Sequence, residues 1–360
     1  MIARHLVSSL STRDATGNHT LAMAEALEEL GYQSEFYVDA AHLDKVGGAK
    51  IFSEFPNQVP ADDLTIVQFS SYSALATMLV ARRVPVIVYY HNVTPAEFFL
   101  PWSPATARTQ TEARNQIAML AETATLAFAA SEYSARELME MGYSKVMVLP
   151  VLFTPSLTPS TSRSTFVDDP VVRSRLSMHG TRWLYVGRLL PHKAPHDLLM
   201  AFAEYRAAYD PSAVLDLVGA DFSAEYTAVL RRIADELRIA DQVFFWGSVD
   251  DELLELLYQA ADVYVSTSLH EGFCVPILEA FAHHLPVVAV DAGAVAETLG
   301  HGGLLVPRSD PGAFATAVAL LMVDQELRKG LVEGGATQLR KFGPTSSVAS
   351  LQSVVQEKFL

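Results

Sequence analysis

Cysteine is almost absent from this chain of 360 residues, which contains a single one, Cys274. One thiol cannot form an intrachain disulfide, and it cannot supply the several thiolates of a cysteine-based zinc cluster. This cysteine usage fits a reducing compartment, so we expect a cytoplasmic protein.

Positive charge is also scarce. The chain has 26 Lys and Arg against 41 Asp and Glu, a net charge of −15. Nucleic-acid-binding proteins usually carry a basic excess, so no nucleic-acid partner is expected. Residues 1–150 have 10 basic and 16 acidic side chains. A protein held at an anionic membrane surface normally shows the opposite balance.

Long apolar runs are missing. No stretch reaches the roughly 18 uninterrupted apolar residues of a membrane-spanning helix. The first 18 residues lack the long apolar segment and small-residue cleavage site of a secretory signal, and are interpreted as containing the first strand. We therefore expect no stable membrane anchor, with at most transient contact at the inner face of the membrane.

Four common enzyme motifs are absent as well. The sequence contains no G-x-G-x-x-G after a strand and no G-x-x-x-x-G-K-[ST], so nicotinamide dehydrogenases and P-loop enzymes have no local support. It contains no G-x-S-x-G, which argues against an α/β-hydrolase. It also contains no Asp-x-Asp, so no carboxylate pair suggests a metal-bridged diphosphate.

Strand-like hydrophobic runs alternate with helical patterns along nearly the whole chain. Such alternation predicts parallel sheets covered by helices on both faces, an α/β class. The Pro-, Ser- and Thr-rich stretch 150–180 interrupts it. We therefore predict two doubly wound Rossmann-like domains, at 1–165 and 181–345, joined by a linker at 166–180. Ligands of such sheets bind beyond the carboxyl ends of the strands, so the expected site is the cleft between the domains.

The most informative segment is 266–290, STSLHEGFCVPILEAFAHHLPVVAV. A strand ends near its start, Gly272 turns the chain, and Pro276 opens a helix whose free N–H groups form an anion site. Glu271 precedes this helix and Glu279 lies one turn inside it, so both carboxylates could accept hydrogen bonds from sugar hydroxyls. The alternative is that Glu279 only complements the helix dipole and Glu271 is a solvated loop acid.

A second segment, YVGRLLPHK at 185–193, places Arg188 and Lys193 after a strand and the turn at Gly187. Two cations at the carboxyl end of a parallel strand could hold a diphosphate without a metal and stabilise charge on a departing phosphate. The alternative is a solvated basic turn.

Two weaker signals lie in the first half. His91 follows the apolar strand 84–90, although a lone histidine is more often a satisfied structural residue. The loop 14–20 could bring Gly17 and the N–H groups near Asn18 to a phosphate or an acceptor. A plain helix cap explains that loop equally well.

These motifs together resemble the retaining glycosyltransferases of family 4 (glycosyl transferases group 1), in a bacterial branch. HEGFCVPILEA resembles the family's motif of two glutamates separated by seven residues, and GRLLPHK resembles its donor-phosphate motif. The likeness covers 182–322 well and is weaker in DATGNHTLAMAEAL and YHNVTPAEFF. The first loop departs from the family because it has a single glycine, Gly17, where many members have a pair.

The resemblance implies a GT-B fold and a role for individual residues. Glu271 would hold hydroxyls of the donor sugar, and Glu279 would bind the ribose. Arg188 and Lys193 would bind the diphosphate, and His91 would lie near the reacting sugar. The expected catalytic residues are His91, Arg188, Lys193 and Glu271. The expected donor-binding residues also include Gly17, Gly187, Gly219, Ser248, Val249, Gly272, Phe273, Cys274, Val275 and Glu279. The last helix, within 346–360, would pack on the first, acceptor-side domain.

The implied reaction is metal-independent transfer of a hexosyl group from a nucleoside-diphosphate sugar to an acceptor hydroxyl, with retention of configuration. No cofactor is expected, and a UDP-sugar is favoured over GDP-mannose as donor. The acceptor could be a saccharide, a lipid-linked sugar or a small molecule. A sugar-nucleotide epimerase, a phosphorylase and a non-catalytic sugar-nucleotide binder remain alternatives on the same scaffold.

Overall fold

The computed structural model describes residues 1–11, 14–39, 48–153, 169–307 and 310–359, apart from the side chains of Pro344 and Thr345. The chain divides into two compact units. Unit 1 comprises Met1–Thr154 and Lys341–Leu360, and unit 2 comprises Pro155–Arg340.

The strands, numbered in chain order, have the following bounds: β1 Ile2–Val7, β2 Gln33–Val38, β3 Lys50–Ile51, β4 Leu64–Phe69, β5 Val86–Tyr90, β6 Ala124–Ala129, β7 Val146–Val148, β8 Arg182–Val186, β9 Val214–Val218, β10 Val243–Gly247, β11 Val263–Ser266, β12 Val287–Val290 and β13 Gly303–Val306.

The helices have the following bounds: α1 Ala15–Glu28, α2 Ala74–Arg82, α3 Pro104–Leu120, α4 Glu132–Glu140, α5 Pro170–Leu176, α6 Pro195–Ala208, α7 Ala224–Glu236, α8 Asp251–Ala260, α9 Val275–Ala282, α10 Val295–Leu299, α11 Pro311–Val323, α12 Gln325–Lys341 and α13 Pro344–Phe359. None of these helices, as far as the described residues go, is both long enough and apolar enough to cross a membrane.

Unit 1 is built on a seven-stranded sheet in the order β3-β2-β1-β4-β5-β6-β7. Its neighbouring strands pair in parallel. All five residues of β5 and all six of β4 are buried, as expected where helices cover both faces of a parallel sheet. Strand order reverses between β1 and β4, so the carboxyl ends of these two strands mark the point where ligands of such sheets bind.

Unit 2 contains a six-stranded parallel sheet in the order β10-β9-β8-β11-β12-β13. The reversal of strand order falls between β8 and β11. On one side of the sheet, Trp183 is fully buried and its ring lies 5.4 Å from Phe202 and 5.0 Å from Tyr205. These aromatic contacts anchor α6 against the sheet and fix the direction in which the preceding loop leaves β8.

The predicted alternation of strands and helices matches the structure except at a few elements. The pattern predicts a helix over 19–30, but α1 begins at Ala15 because the Asp14 carboxylate caps it, accepting from Gly17 N at 2.7 Å. The elements that the periodicity does not predict are β3, β13, α5, α10 and α12. Of these, α5 lies within the predicted linker 166–180, whose residues 166–168 are outside the described ranges.

The sequence of helix α12 explains why hydrophobic periodicity does not predict it. Its sequence contains three glycines, which usually weaken helices. A Cβ at Gly335 would come within 2.5 Å of the Phe281 ring, and one at Gly334 within 2.1 Å of the His301 carbonyl oxygen. Gly334 and Gly335 therefore serve close packing in a helix that tertiary contacts stabilise.

Helix α13 belongs to unit 1. Leu351 and Val355 are buried, and the Gln352 side-chain amide donates to the Ala26 carbonyl at 3.1 Å and to Glu29 Oε2 at 2.7 Å. The C-terminal helix is thus joined to α1 by apolar burial and by hydrogen bonds.

Candidate functional site

The site residues predicted in unit 2 follow the carboxyl ends of neighbouring strands. Gly187 and Arg188 follow β8, Gly219 follows β9, and Glu271 lies in the loop after β11. Because the strands are parallel, all of these loops leave the sheet at one edge. The two loops that carry Arg188 and Glu271 flank the reversal of strand order, where an open α/β sheet leaves room for a ligand.

The two sequence motifs meet in an ion pair. Lys193 Nζ lies 2.5 Å from Glu271 Oε1, although the residues are 78 positions apart. The side chains are 21% and 8% exposed. Burial favours the neutral amine, but the Glu271 carboxylate outweighs it and holds the pKa of Lys193 above its usual value. A charged ammonium thus lies at the sheet edge, where an anion could share it.

Backbone hydrogen bonds fix the two loops that carry this pair. Leu269 N donates to the His192 carbonyl at 2.7 Å, and the Thr267 hydroxyl donates to the Ala194 carbonyl at 2.9 Å. These bonds lie immediately beside the ion pair on both chain segments. The distance between the ammonium and the carboxylate is therefore set by backbone as well as by side chains.

Arg188 differs from Lys193 in its surroundings. It is exposed, and the described residues give its guanidinium no ion-pair partner. Its backbone is fixed, because the Tyr185 hydroxyl donates to the Arg188 carbonyl at 3.2 Å and Leu190 N donates to it at 2.8 Å. The guanidinium fork is thus available at the edge on a well-held main chain.

Gly187 and Gly219 lie where two turns touch. Gly187 N donates to the Val218 carbonyl at 2.9 Å, and a Cβ at Gly219 would come within 2.1 Å of the Gly187 carbonyl oxygen. Gly219 has a φ of +140°, which also favours glycine. These glycines let the β8 and β9 turns approach closely.

Ser248 and Val249 follow β10 on the outer side of this edge. Ser248 is exposed and Val249 is half-buried. The turn is connected to its neighbour because Gly219 N donates to the Gly247 carbonyl at 2.8 Å. Within the described ranges, neither predicted side chain is hydrogen-bonded to another predicted site residue.

The segment Gly272–Val275 forms the start of α9. Cys274 precedes the helix with a φ of +74°, which is unusual for a residue with a Cβ. Phe273 and Cys274 are buried, and burial raises the pKa of the Cys274 thiol well above its usual value. This thiol is therefore protonated at neutral pH, and the segment contributes backbone N–H groups and shape rather than thiolate chemistry.

A turn that sequence reasoning missed supports this segment from behind. Ala294 N donates to the Glu271 carbonyl at 2.9 Å, and the Thr298 hydroxyl donates to the Phe273 carbonyl at 2.5 Å. A Cβ at Gly293, whose φ is +59°, would come within 2.3 Å of the Glu271 carbonyl oxygen. The only sequence signal for this role is a glycine placed shortly after a strand.

Glu279 lies on α9, half-buried, and its carboxylate has one hydrogen-bond partner among the described residues. The Tyr258 hydroxyl donates to Glu279 Oε2 at 2.6 Å. Burial raises the pKa of Glu279 above its usual value, while the Tyr258 hydrogen bond acts in the opposite direction. Tyr258, on α8, is another residue of the site that no sequence motif indicated.

The structure places His91 in unit 1, directly after β5, within an aromatic cluster. Its ring lies 4.5 Å from that of Tyr89 and 5.0 Å from that of His19. Burial lowers the pKa of His91 to about 3, so the imidazole is neutral at physiological pH. A neutral imidazole can accept a proton or a hydrogen bond from a hydroxyl.

The hydrogen-bond network assigns the tautomer of His91. The Gln68 amide nitrogen donates to Met23 Sδ at 3.4 Å, so Gln68 Oε1 faces His91 Nε2 at 2.8 Å as an acceptor. His91 Nε2 therefore carries the proton, and Nδ1 keeps the lone pair. Any hydroxyl that His91 binds through Nδ1 would donate to it.

Gly17 lies inside the first turn of α1. Its N–H donates to the Asp14 cap, and a Cβ there would come within 1.8 Å of the Ser11 carbonyl oxygen. The helix cap accounts for the hydrogen bond, and the close approach of the Ser11 backbone accounts for the glycine. A donor-binding role for Gly17 stays a prediction.

The family model for glycosyl transferases group 1 matches residues 174–338. A D-inositol 3-phosphate glycosyltransferase 2 of Catenulispora acidiphila is 38% identical over 180 residues, which is 48% of this chain and 42% of that protein. A D-inositol 3-phosphate glycosyltransferase of Corynebacterium efficiens is 31% identical over 213 residues, which is 57% of this chain and 48% of that protein. The chain thus spans less than half the length of these curated relatives.

Solved structures resemble the chain over its whole length. A crystal structure of Anabaena HepE with UDP and glucose has a TM-score of 0.78 at 17% identity, covering 99% of this chain and 100% of that one. Sucrose-phosphate synthase from Thermosynechococcus elongatus has a TM-score of 0.72 at 20% identity, covering 100% and 99%. At these identities the likeness concerns the fold, and it confirms the predicted GT-B class with two Rossmann-like domains.

The family match covers the loops that follow β8, β9, β10 and β11, together with the whole of α8 and α9. It therefore contains the Lys193–Glu271 ion pair and the Tyr258–Glu279 hydrogen bond. Over residues 174–338, the chain is therefore similar to the glycosyl transferases group 1 family, whose model matches this part of it.

Proposed function

We propose that this protein transfers a hexosyl group from a nucleoside-diphosphate sugar to an acceptor hydroxyl, with retention of configuration and without a metal ion. The observation that carries the proposal is the Lys193–Glu271 ion pair at the carboxyl edge of the unit 2 sheet. It joins the cation expected to hold the diphosphate to the carboxylate expected to hold the sugar. A nucleotide sugar presents a diphosphate and a sugar side by side, so the proposed binding groups for both need to be close together.

In the proposed reaction the bond between the anomeric carbon and the diphosphate oxygen breaks, and its electron pair leaves with the diphosphate. Arg188 and Lys193 stabilise the charge that grows on the leaving oxygen. The acceptor oxygen forms its bond on the face that the diphosphate leaves, and the acceptor proton passes to a phosphate oxygen. Atoms and charge balance without an enzyme-bound intermediate.

The geometry of Glu271 supports a hydroxyl-binding role rather than a nucleophilic one. Oε1 is engaged by the Lys193 ammonium at 2.5 Å, and an ion-paired carboxylate is a poorer nucleophile than a free one. Its backbone is held by Ala294 N. A fixed acceptor of this kind suits the orientation of a sugar ring, and this favours transfer in a single displacement on one face.

Three further points belong to the proposal. The donor is a UDP-sugar, in keeping with the UDP bound in the Anabaena HepE structure. The acceptor class includes phosphorylated polyols, in keeping with the names of the curated relatives. The reaction takes place in the cytoplasm, where the reduced state of the single cysteine is maintained.

A donor panel tests the proposal. UDP-glucose, GDP-mannose and ADP-glucose are added to the wild-type protein, and the melting temperature is measured with and without EDTA. One donor is expected to raise the melting temperature by mass action, equally in both conditions. Turnover is then followed by ¹H NMR with inositol 3-phosphate and simple saccharides as acceptors, and the anomeric coupling of the product should match that of the donor.

The same panel separates the alternatives. Binding without turnover of any acceptor would indicate a sugar-nucleotide binder, and an epimerised sugar formed without an acceptor would indicate an epimerase. If none of the three donors changes the melting temperature, the transferase proposal is wrong. If EDTA abolishes turnover and Mg²⁺ restores it, the metal-free part is wrong.

A further inference from the structure

Tyr258 is buried in unit 2 and makes one hydrogen bond through its hydroxyl. The residue is 2% exposed, and its hydroxyl donates to Glu279 Oε2 at 2.6 Å. The two residues are 21 positions apart and belong to different helices. This bond therefore connects α8 to α9 at the carboxylate expected to bind the ribose.

The Tyr258 ring is held by a second layer of contacts. It stacks on the His283 imidazole with ring centroids 4.7 Å apart and planes within 12°. His283 Nε2 lies 2.8 Å from Glu255 Oε2, and its Nδ1 lies 2.8 Å from the Glu279 carbonyl oxygen. The direction of the phenol O–H is thus set by packing on both helices.

The two carboxylate oxygens of Glu279 differ in their hydrogen bonding. Oε2 is occupied by the Tyr258 hydroxyl, and among the described residues Oε1 accepts no hydrogen bond. A carboxylate accepts hydrogen bonds only, so Oε1 is the atom available to a ligand hydroxyl. A side chain already held in one orientation loses less freedom when a ligand binds.

We propose that Tyr258 is a positioning residue for nucleotide recognition, which holds Glu279 so that its second oxygen receives the ribose hydroxyls of the donor. This inference rests on the proposed function, because it assigns Glu279 to the ribose. It adds a residue outside both sequence motifs. It also makes a prediction about ribose hydroxyls that the transferase reaction alone does not make.

The test compares nucleotides with and without ribose hydroxyls. Dissociation constants are measured by calorimetry for UDP and for 2′,3′-dideoxy-UDP, with the GDP and ADP pairs in parallel. In the wild-type protein, the nucleotide that binds should bind at least tenfold more tightly than its dideoxy form. In Tyr258→Phe this ratio should fall severalfold toward one, because only the form with hydroxyls loses affinity. A general disturbance of the fold would weaken both forms equally.

A matched control is Tyr205→Phe, which removes a buried hydroxyl that lies 2.9 Å from the Thr181 hydroxyl in the same unit. This variant should keep the wild-type ratio. In Glu279→Ala, the ratio should already be near one, and adding Tyr258→Phe should not lower it further. This non-additivity is the signature of a residue that acts through Glu279.

A second variant tests the same geometry should Tyr258→Phe fold poorly. Glu279→Asp keeps the negative charge but shortens the side chain, so it cannot reach Tyr258 and a ribose at once, and its ratio should also fall. An unchanged ratio in Tyr258→Phe, or in Glu279→Asp, would overturn the positioning role while leaving the transferase proposal intact. If the wild-type protein binds none of the three nucleotides, the proposed function itself fails.

Discussion

At the scale of single residues, each of the two short motifs in the second half of the chain indicates a charged binding residue, and the structure brings these two residues into contact. The sequence indicates Lys193 and Glu271 separately, but their 2.5 Å contact depends on the fold, because the residues are 78 positions apart. Tyr258 is beyond prediction, since a tyrosine on an amphipathic helix looks like an ordinary core residue. A motif is read from neighbouring residues in the sequence, whereas the side chains that orient it, such as Tyr258, lie on other elements of the fold.

Lys193 gives a first prediction at this scale. If its ammonium stabilises charge on the leaving diphosphate, its contribution is larger in the transition state than in the ground state. Lys193→Ala should therefore lower kcat by about 100-fold, with a smaller change in the donor KM. Because this change leaves Glu271 without its ion-pair partner, the melting temperature is measured in parallel.

Arg188→Lys belongs to the same experiment. A lysine point charge does not replace a planar guanidinium fork on a diphosphate, so kcat should also fall. Arg232→Lys is the matched control, since the Arg232 side chain is 79% exposed and pairs with the surface residue Glu236. If both site variants turn over like the wild-type protein, the diphosphate role of this loop is incorrect.

At the scale of elements, hydrophobic periodicity predicts most of the strands and helices, but it does not predict the short elements or the glycine-containing helix α12. The long buried strands follow from continuous apolar runs. Helix α4 begins after Ser131, a residue type that favours helix starts, and the Ser131 hydroxyl accepts from Ser134 N at 3.1 Å. Short elements such as β3 have too few residues to show a period. Periodicity does not predict α12, in which Gly334 and Gly335 serve close packing against His301 and Phe281 rather than a turn.

The turn between β12 and α10 yields a second prediction. Gly293→Ala places a Cβ within 2.3 Å of the Glu271 carbonyl oxygen at a φ of +59°, so the Glu271 backbone must move. We expect kcat to fall at least tenfold, and the free energy of unfolding to fall by about 1–3 kcal/mol.

Gly330→Ala on α12 is the control for this change. A Cβ there has no atom within 4 Å, and alanine is the better helix former. This variant should gain about 0.5–1 kcal/mol of stability with unchanged turnover. Equal kinetics for the two alanine variants would show that the β12–α10 turn does not position Glu271.

At the scale of the whole molecule, the family match and the Lys193–Glu271 ion pair lie in unit 2, whereas two fully buried histidines lie in unit 1. His5 and His19 are fully buried, and the His91 ring lies 5.0 Å from that of His19. Composition alone predicts an acidic protein, but it does not show that these histidines are kept neutral. Their burial links the stability of unit 1 to pH.

The last prediction concerns this link. Burial lowers the pKa of His5 from 6.5 to about 4. Between these two pH values, His5 therefore binds a proton in the unfolded chain but not in the folded chain. The free energy of unfolding should therefore fall with pH between 6.5 and 4, by about 1.4 kcal/mol per pH unit for each such group. Hydrogen exchange of the backbone amides in a peptide that covers β1 measures this decrease in the free energy of unfolding, because the amides become less protected from exchange. From pH 6.5 to 5, His5→Leu should lose about 1.5 kcal/mol less than the wild-type protein, while His301→Gln, at an exposed position, should lose as much as the wild-type protein. Equal losses in the wild-type protein and in His5→Leu would show that His5 does not couple the stability of unit 1 to pH.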